Sequence, residues 1–215
     1  LTLRLVEDDV PIRGRIVDLE GRGVAGVTVR VLSITAWPDE GLESWIGALT
    51  DAGEYYKAAA VLRPKEVSQS FSGLPESVLT DGEGRFRLTG VGRERVVSVR
   101  FVGPTIATTQ NYKLMTRPAE TLRVPLDKQN PTYGSVVYYG ATFEHAAAPT
   151  RPIVGVVRDK EGGKPLAGAK VQSDRFAGNP VSGDRLLETT ADREGRYRLV
   201  GMPKGSGNVL LATPA

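Results

Sequence analysis

TDGEGRFRLTGV (residues 80–91) returns 111 residues later as ADREGRYRLVGM (191–202). The two share Asp, then Gly three residues on, then Arg-aromatic-Arg-Leu, with Gly two further on. A phrase written twice is either a site built twice or a piece of architecture built twice. The letters favour architecture. An Asp carboxylate in D-x-x-G accepts from the backbone two residues on and starts a type I turn, and the Gly takes the positive φ that closes a bulged hairpin. Arg-aromatic-Arg-Leu then reads as the returning strand with its aromatic ring inward. Asp81, Gly84, Asp192 and Gly195 are therefore assigned as structural turn residues. The rival reading, a calcium loop, needs six or more oxygens, and each turn offers only two carboxylates.

The repeat reaches further back. PIRGRIVDLEGRGVAGVTVRV (11–31) pairs with PIVGVVRDKEGGKPLAGAKVQ (152–172), with one extra residue in the turn of the second. Two blocks in the same order indicate internal duplication, at a period suited to whole domains rather than to a solenoid. Within the blocks apolar residues alternate with polar ones: Ile12, Gly14 and Ile16 against Arg13 and Arg15, and Val97, Val99 and Phe101 against Ser98 and Arg100. Period two with β-branched and aromatic residues predicts half-buried antiparallel strands. The fold class expected is all-β: two tandem antiparallel β-sandwiches, 1–140 and 141–215, the second either minimal or cut short.

The first copy carries an insertion at about 35–77. In PDEGLESWIGALTDAGEYYKAAAVLRP (38–64), Leu42, Trp45, Ile46 and Leu49 fall at helical spacing, followed by Tyr55, Tyr56, Ala59 and Leu62. Asp39 and Glu40 stand at its start and Pro64 at its end, so one or two short helices are predicted over an edge or end of the first sandwich. The bridge from about Lys128 to Pro149 is expected to hold a short strand, SVVYY, and a lead-in to the second copy, TFEHAAAP.

With both blocks in hand, GRIVDLEGRGVAGVTV (14–29) followed by TDGEGRFRLTGV resembles the carboxypeptidase regulatory-like domain, a small transthyretin-like β-sandwich. The linker YGATFEHAAAPTRPI (139–153) is similar to those joining tandem modules of multidomain bacterial proteins. The resemblance covers both copies but not the helical insertion. It implies a non-catalytic accessory or spacer module, partnered by neighbouring domains of the same polypeptide or by another protein, in an extracytoplasmic or cell-envelope setting. It does not imply peptidase activity, and it carries over no catalytic residue and no cofactor.

Composition narrows the chemistry. The chain of 215 residues has no cysteine, which excludes disulfides and thiolate metal sites. Its net charge of +3 comes from interspersed charges without a basic run, so nucleic acid is not an expected partner. No apolar run reaches the ~20 residues that span a bilayer. The chain opens at Leu1 without a leader and reads as a segment of something longer. The one histidine, His145, cannot build a zinc or iron site alone and is expected in a solvated linker. Candidate carboxylate pairs, Asp8 with Asp9, Glu40 with Glu43 and Asp192 with Glu194, sit in turns or at a helix start, where acids are favoured locally. The alternative function is carbohydrate binding, in which Trp37, Trp45, Tyr55 and Tyr56 serve as stacking rings. The favoured expectation is instead that the helix packs Trp45 on the sandwich and that the bridge tyrosines Tyr133, Tyr138 and Tyr139 fill the interdomain seam.

Overall fold

The computed structural model describes residues 7–61, 64–68, 73–75, 77–109, 111–181 and 187–215. The chain is mostly β, with several sheets and, among the described residues, two short α-helices and one 3-10 turn at Pro131–Tyr133. Its contacts divide it into two compact units: 1–16, 23–100 and 111–145 in the first, and 17–22, 101–110 and 146–215 in the second.

In the first unit β1 (Ile12–Val17) pairs antiparallel with β5 (Arg85–Leu88), in the register Ile12↔Leu88 and Gly14↔Phe86. The pairing joins the two repeated blocks directly. The turn residues explain how. The Asp81 carboxylate accepts the amides of Glu83 and Arg85 at 2.9 and 2.8 Å, and Gly84 adopts φ +75°. The Gly84 carbonyl then accepts the Ile16 amide at 2.8 Å. A Cβ on Gly84 would collide with the Ile16 carbonyl oxygen, so the close approach and the positive φ both demand glycine. On the outer edge of β1 lies β10 (Thr142–Ala146), giving the order β10-β1-β5.

A larger sheet runs in the order β3 (Lys65–Ser68), β2 (Thr28–Ala36), β6 (Val96–Val102), β7 (Tyr112–Met115), β9 (Ser135–Tyr139), β8 (Leu122–Pro125), with β4 (Val78–Leu79) also on β2. Ring contacts tie the two sheets together: Phe143 of β10 lies 5.4 Å from Tyr112 of β7 and 5.9 Å from Phe86 of β5. Tyr112 stacks on Tyr139 at 4.3 Å. One face of the large sheet thus packs against the small sheet, as alternation predicts.

The other face departs from the expectation. Alternation puts Ser98 and Arg100 on the exposed parity, yet both are buried. Two helices, α1 (Glu43–Ala52) and α2 (Tyr55–Val61), cover that face nearby. Trp37, Leu42, Trp45, Leu49 and Ala58 form a second core with Val96, Met115, Val124 and Tyr138. β6 is therefore covered on both sides. The insertion also contains β3, which periodicity did not reveal, and Leu62 lies outside the described residues. The lead-in TFEHA is a strand rather than a connector, and it carries His145. That residue is half-buried, with its ring 4.9 Å from Tyr112, rather than solvated.

In the second unit β11 (Ile153–Val156) pairs with β15 (Arg196–Leu199), and β12 (Lys170–Phe176) pairs with β13 (Asn179–Pro180), β14 (Glu188–Thr190) and β16 (Val209–Thr213). The register Ile153↔Leu199 and Gly155↔Tyr197 matches Ile12↔Leu88 and Gly14↔Phe86. Lys170↔Thr190 and Val171↔Thr189 match Thr28↔Leu79 and Val29↔Val78. The turn matches as well: Asp192 accepts the amides of Glu194 and Arg196 at 2.9 and 2.8 Å, Gly195 has φ +70°, and its carbonyl accepts the Val157 amide at 2.8 Å.

Candidate functional site

The register places the insertion. In the second unit the β12–β13 hairpin closes on Ala177 and Gly178, with φ +48° and +86°, the signature of a two-residue type I′ turn. In the first unit the β2–β3 hairpin closes through residues 37–64, which hold both helices. Going from two residues to that length is close to four doublings, a closure cost of about 2 kcal/mol at ~0.6 kcal/mol each. Burial of Trp45 and Leu49 on the sheet face, each worth about 1.5–3 kcal/mol, more than offsets it.

A charged network fastens the start of α1. Arg95, buried, reaches the Glu40 carboxylate at 2.6 Å, and Glu94 accepts the Leu42 amide at 3.1 Å, a cap that the α1 N-terminus lacks from its own residues. Arg117 bridges Glu94 at 3.3 Å and Glu43 at 2.7 Å. At the junction of the helices, Glu54 accepts the Lys128 backbone amide at 3.1 Å and pairs with Lys57 at 3.0 Å. The Lys128 amide, with Lys57, holds its carboxyl below the usual range.

Beneath the helices is a cavity of about 120 Å³ whose walls include Trp37, Trp45, Tyr55, Val96, Lys113 and Tyr138. Trp37 and Trp45 lie 4.6 Å apart, and Tyr138 meets Trp45 edge-on at 4.8 Å. The Trp37 indole N–H is buried and donates to no group. Burial raises the Tyr138 hydroxyl above its ordinary range. Of the four aromatic candidates, Trp37 and Trp45 are 5 % and 3 % exposed, Tyr55 is half-buried, and only Tyr56 presents a ring to solvent. The tryptophans are held as core and offer no surface platform.

Five of the six candidate carboxylates have local partners, and Glu194 contributes its backbone amide to the Asp192 turn. Asp8 accepts the Gly90 and Gly92 amides at 2.6 and 3.1 Å, and Asp9 pairs with Arg93 at 2.7 Å. Glu40 and Glu43 belong to the α1 network, and Asp192 holds its turn. Among the described residues no group of three or more His, Asp or Glu is arranged to hold a metal ion. Arg13↔Arg87 and Arg15↔Arg85 stand directly across from each other on the small sheet, and Glu144 partly neutralises them through Arg15 at 3.1 Å. Sequence reasoning overlooked this patch, because it takes the strand register to bring the four arginines together.

No family model and no curated protein matches the chain. A streptococcal ancillary pilin aligns over 97 % of this chain and 60 % of its own length, at 13 % identity and TM-score 0.30. Shaft pilin SpaA from Lactobacillus rhamnosus GG aligns over 95 % and 86 %, at 13 % identity and TM-score 0.27. The chain thus spans 60 % of the length of the ancillary pilin. Likenesses at such TM-scores carry no argument, and the functional reading rests on the chain's own residues.

Proposed function

We propose that this chain is a non-catalytic accessory module made of two tandem carboxypeptidase regulatory-like, transthyretin-like sandwiches, which space or dock neighbouring domains of a larger bacterial protein. The proposed boundaries are 1–140 for the first sandwich and 141–215 for the second, with β10 (Thr142–Ala146) reaching back from the second range to pair with β1. The observation that carries the reading is the shared register. The residues that repeat, Gly14 with Gly155, Phe86 with Tyr197 and Asp81 with Asp192, are taken up by the same strand pairing and the same turn. Repeated letters spent wholly on shape leave no repeated chemistry. The helical insertion, rooted at a hairpin tip and anchored by Arg95 and Glu94, enlarges the first sandwich without opening a surface cleft lined by its tryptophans. Partners are neighbouring domains or a protein, with no cofactor invoked.

Cross-linking mass spectrometry on the parent polypeptide tests this. Lysines of both units should cross-link to adjoining domains or to one recurrent protein partner. A glycan array run beside it should show no binding. Glycan retention lost on Tyr56→Ala, or turnover of a substrate by the purified chain, would replace the accessory reading.

A further inference from the structure

The two units treat one strand edge differently. In the first, the outer edge of β1 is covered by β10: the Arg13 amide donates to the Ala141 carbonyl at 2.7 Å, and Glu144 reaches Arg15. In the second, β11 occupies the place of β1, and among the described residues it pairs only with β15. The consequences run through the hairpin. Ile12, Gly14 and Phe86 are buried, whereas their counterparts Ile153, Gly155 and Tyr197 are half-exposed. Where β1 carries Arg13 and Arg15, β11 carries Val154 and Val156, which are 68 % and 43 % exposed. Lysine, proline and inward charge are the usual protections of an open edge, and Ile153–Val156 has none of them.

We propose that the free edge of β11 is a strand-addition site for an inter-module linker of the β10 kind. The inference rests on reading the second unit as a copy of the first. By that equivalence the Val154 amide points outward, as the Arg13 amide points to β10. Backbone bonds from Arg13 to Ala141 and from Ala147 to Val17 advance together along both strands, so β10 runs parallel to β1. The added strand therefore runs parallel to β11. Its inward residue at the Phe143 position packs against Tyr197 and Gly155. Its outward residue at the Glu144 position meets valine instead of arginine, so an apolar side chain is preferred there. Main-chain bonds supply affinity and these two positions supply selectivity.

The test uses the 215-residue chain and two peptides, GATFEHAA (residues 140–147) and the same peptide carrying Glu144→Val. Amide spectra and hydrogen exchange are followed during titration. Both peptides should shift Val154 and Val156 and slow Val154 exchange by at least about tenfold at saturation. The valine peptide should bind more tightly. Val154→Pro, which removes an outward N–H on an edge strand, should abolish the shift at Val156 while leaving Val157 and Gly195 protected. No response at 153–157 in a chain whose Gly155–Tyr197 contact is intact overturns the strand-addition site alone. Absence of that contact overturns the copy itself. Concentration-dependent dimerisation through β11, lost in Val154→Pro, with no peptide binding, overturns the linker as occupant.

Discussion

Gly14 faces two rings, and adding one methyl there probes whether the repeated glycines serve shape. A Cβ on Gly14 would overlap the Phe86 ring and come within 2.8 Å of Phe143 Cζ. Forcing a methyl into such a contact costs about 1–3 kcal/mol. Replacing a strand glycine by alanine returns roughly 0.5–1 kcal/mol of backbone entropy. Gly14→Ala should therefore destabilise the first unit by about 1–2 kcal/mol. At Gly155 the nearest atom is Tyr197 Cε1, at 2.7 Å, but that ring is half-exposed and free to swing away. Gly155→Ala should cost its own unit less than about 1 kcal/mol. Trp37 and Trp45, the only tryptophans, both lie in the first unit, so their fluorescence during urea unfolding reads that unit alone. With slopes of about 1–3 kcal/mol/M the midpoint should fall by roughly 0.3–2 M. Phe86→Leu, which opens space over Gly14, should make the second substitution cheaper, giving a coupling of about 1 kcal/mol or more. A neutral Gly14→Ala, or strict additivity with Phe86→Leu, would refute the packing argument.

Further outcomes follow from the turns, the covered face and the half-buried imidazole. Asp81→Ala and Asp192→Ala should each lower stability by about 1 kcal/mol through two lost carboxylate–amide bonds, and millimolar calcium should leave the melting temperature of the parent chain unchanged. A calcium-dependent rise lost in either variant would restore an ion site. Trp45→Ala should cost about 3–5 kcal/mol by far-ultraviolet circular dichroism melting, because its ring fills the second core between α1 and Tyr138; a loss below 1 kcal/mol would mean the helices are loosely held. Burial holds His145 below its ordinary value of 6.5. The unfolded chain then binds a proton that the folded chain resists, so stability should decline as pH falls through 6.5, and His145→Gln should flatten that slope. Glu54, held low by the Lys128 amide, adds a separate loss below about pH 4.5.

Much of the strand frame could be read from the sequence because its signals are local. Asp81 to Gly84 fixes a turn within four residues, and alternation from Ile12 to Ile16 fixes a face. Helical spacing of Leu42, Trp45 and Leu49 was equally legible. What escaped is what only tertiary contact decides. Ser98 and Arg100 alternate like surface residues, but covering a sheet on its second face overrides alternation without changing a letter of the strand. TFEHA reads from sequence only as a lead-in to the second copy, yet Phe143 and the open edge of β1 recruit it as β10. Trp37 and Trp45 looked eligible for a surface platform, since aromatic side chains suit both a core and a sugar. Helical spacing already favours packing of Trp45 on the sandwich, whereas the burial of Trp37 follows from where the hairpin tip folds back, which no spacing encodes. The Ala177–Gly178 turn, by contrast, identifies the insertion point only once both registers are known.

The central claim is that one hairpin frame is built twice in one register. Nuclear Overhauser contacts from the Gly14 and Gly155 α-protons test it most directly. The account predicts contacts from Gly14 to the Phe86 ring and from Gly155 to the Tyr197 ring, with both glycines' α-protons shifted upfield by those rings. A slip of one residue in either hairpin would set that glycine beside an arginine instead, and the claim of two equivalent frames would fail.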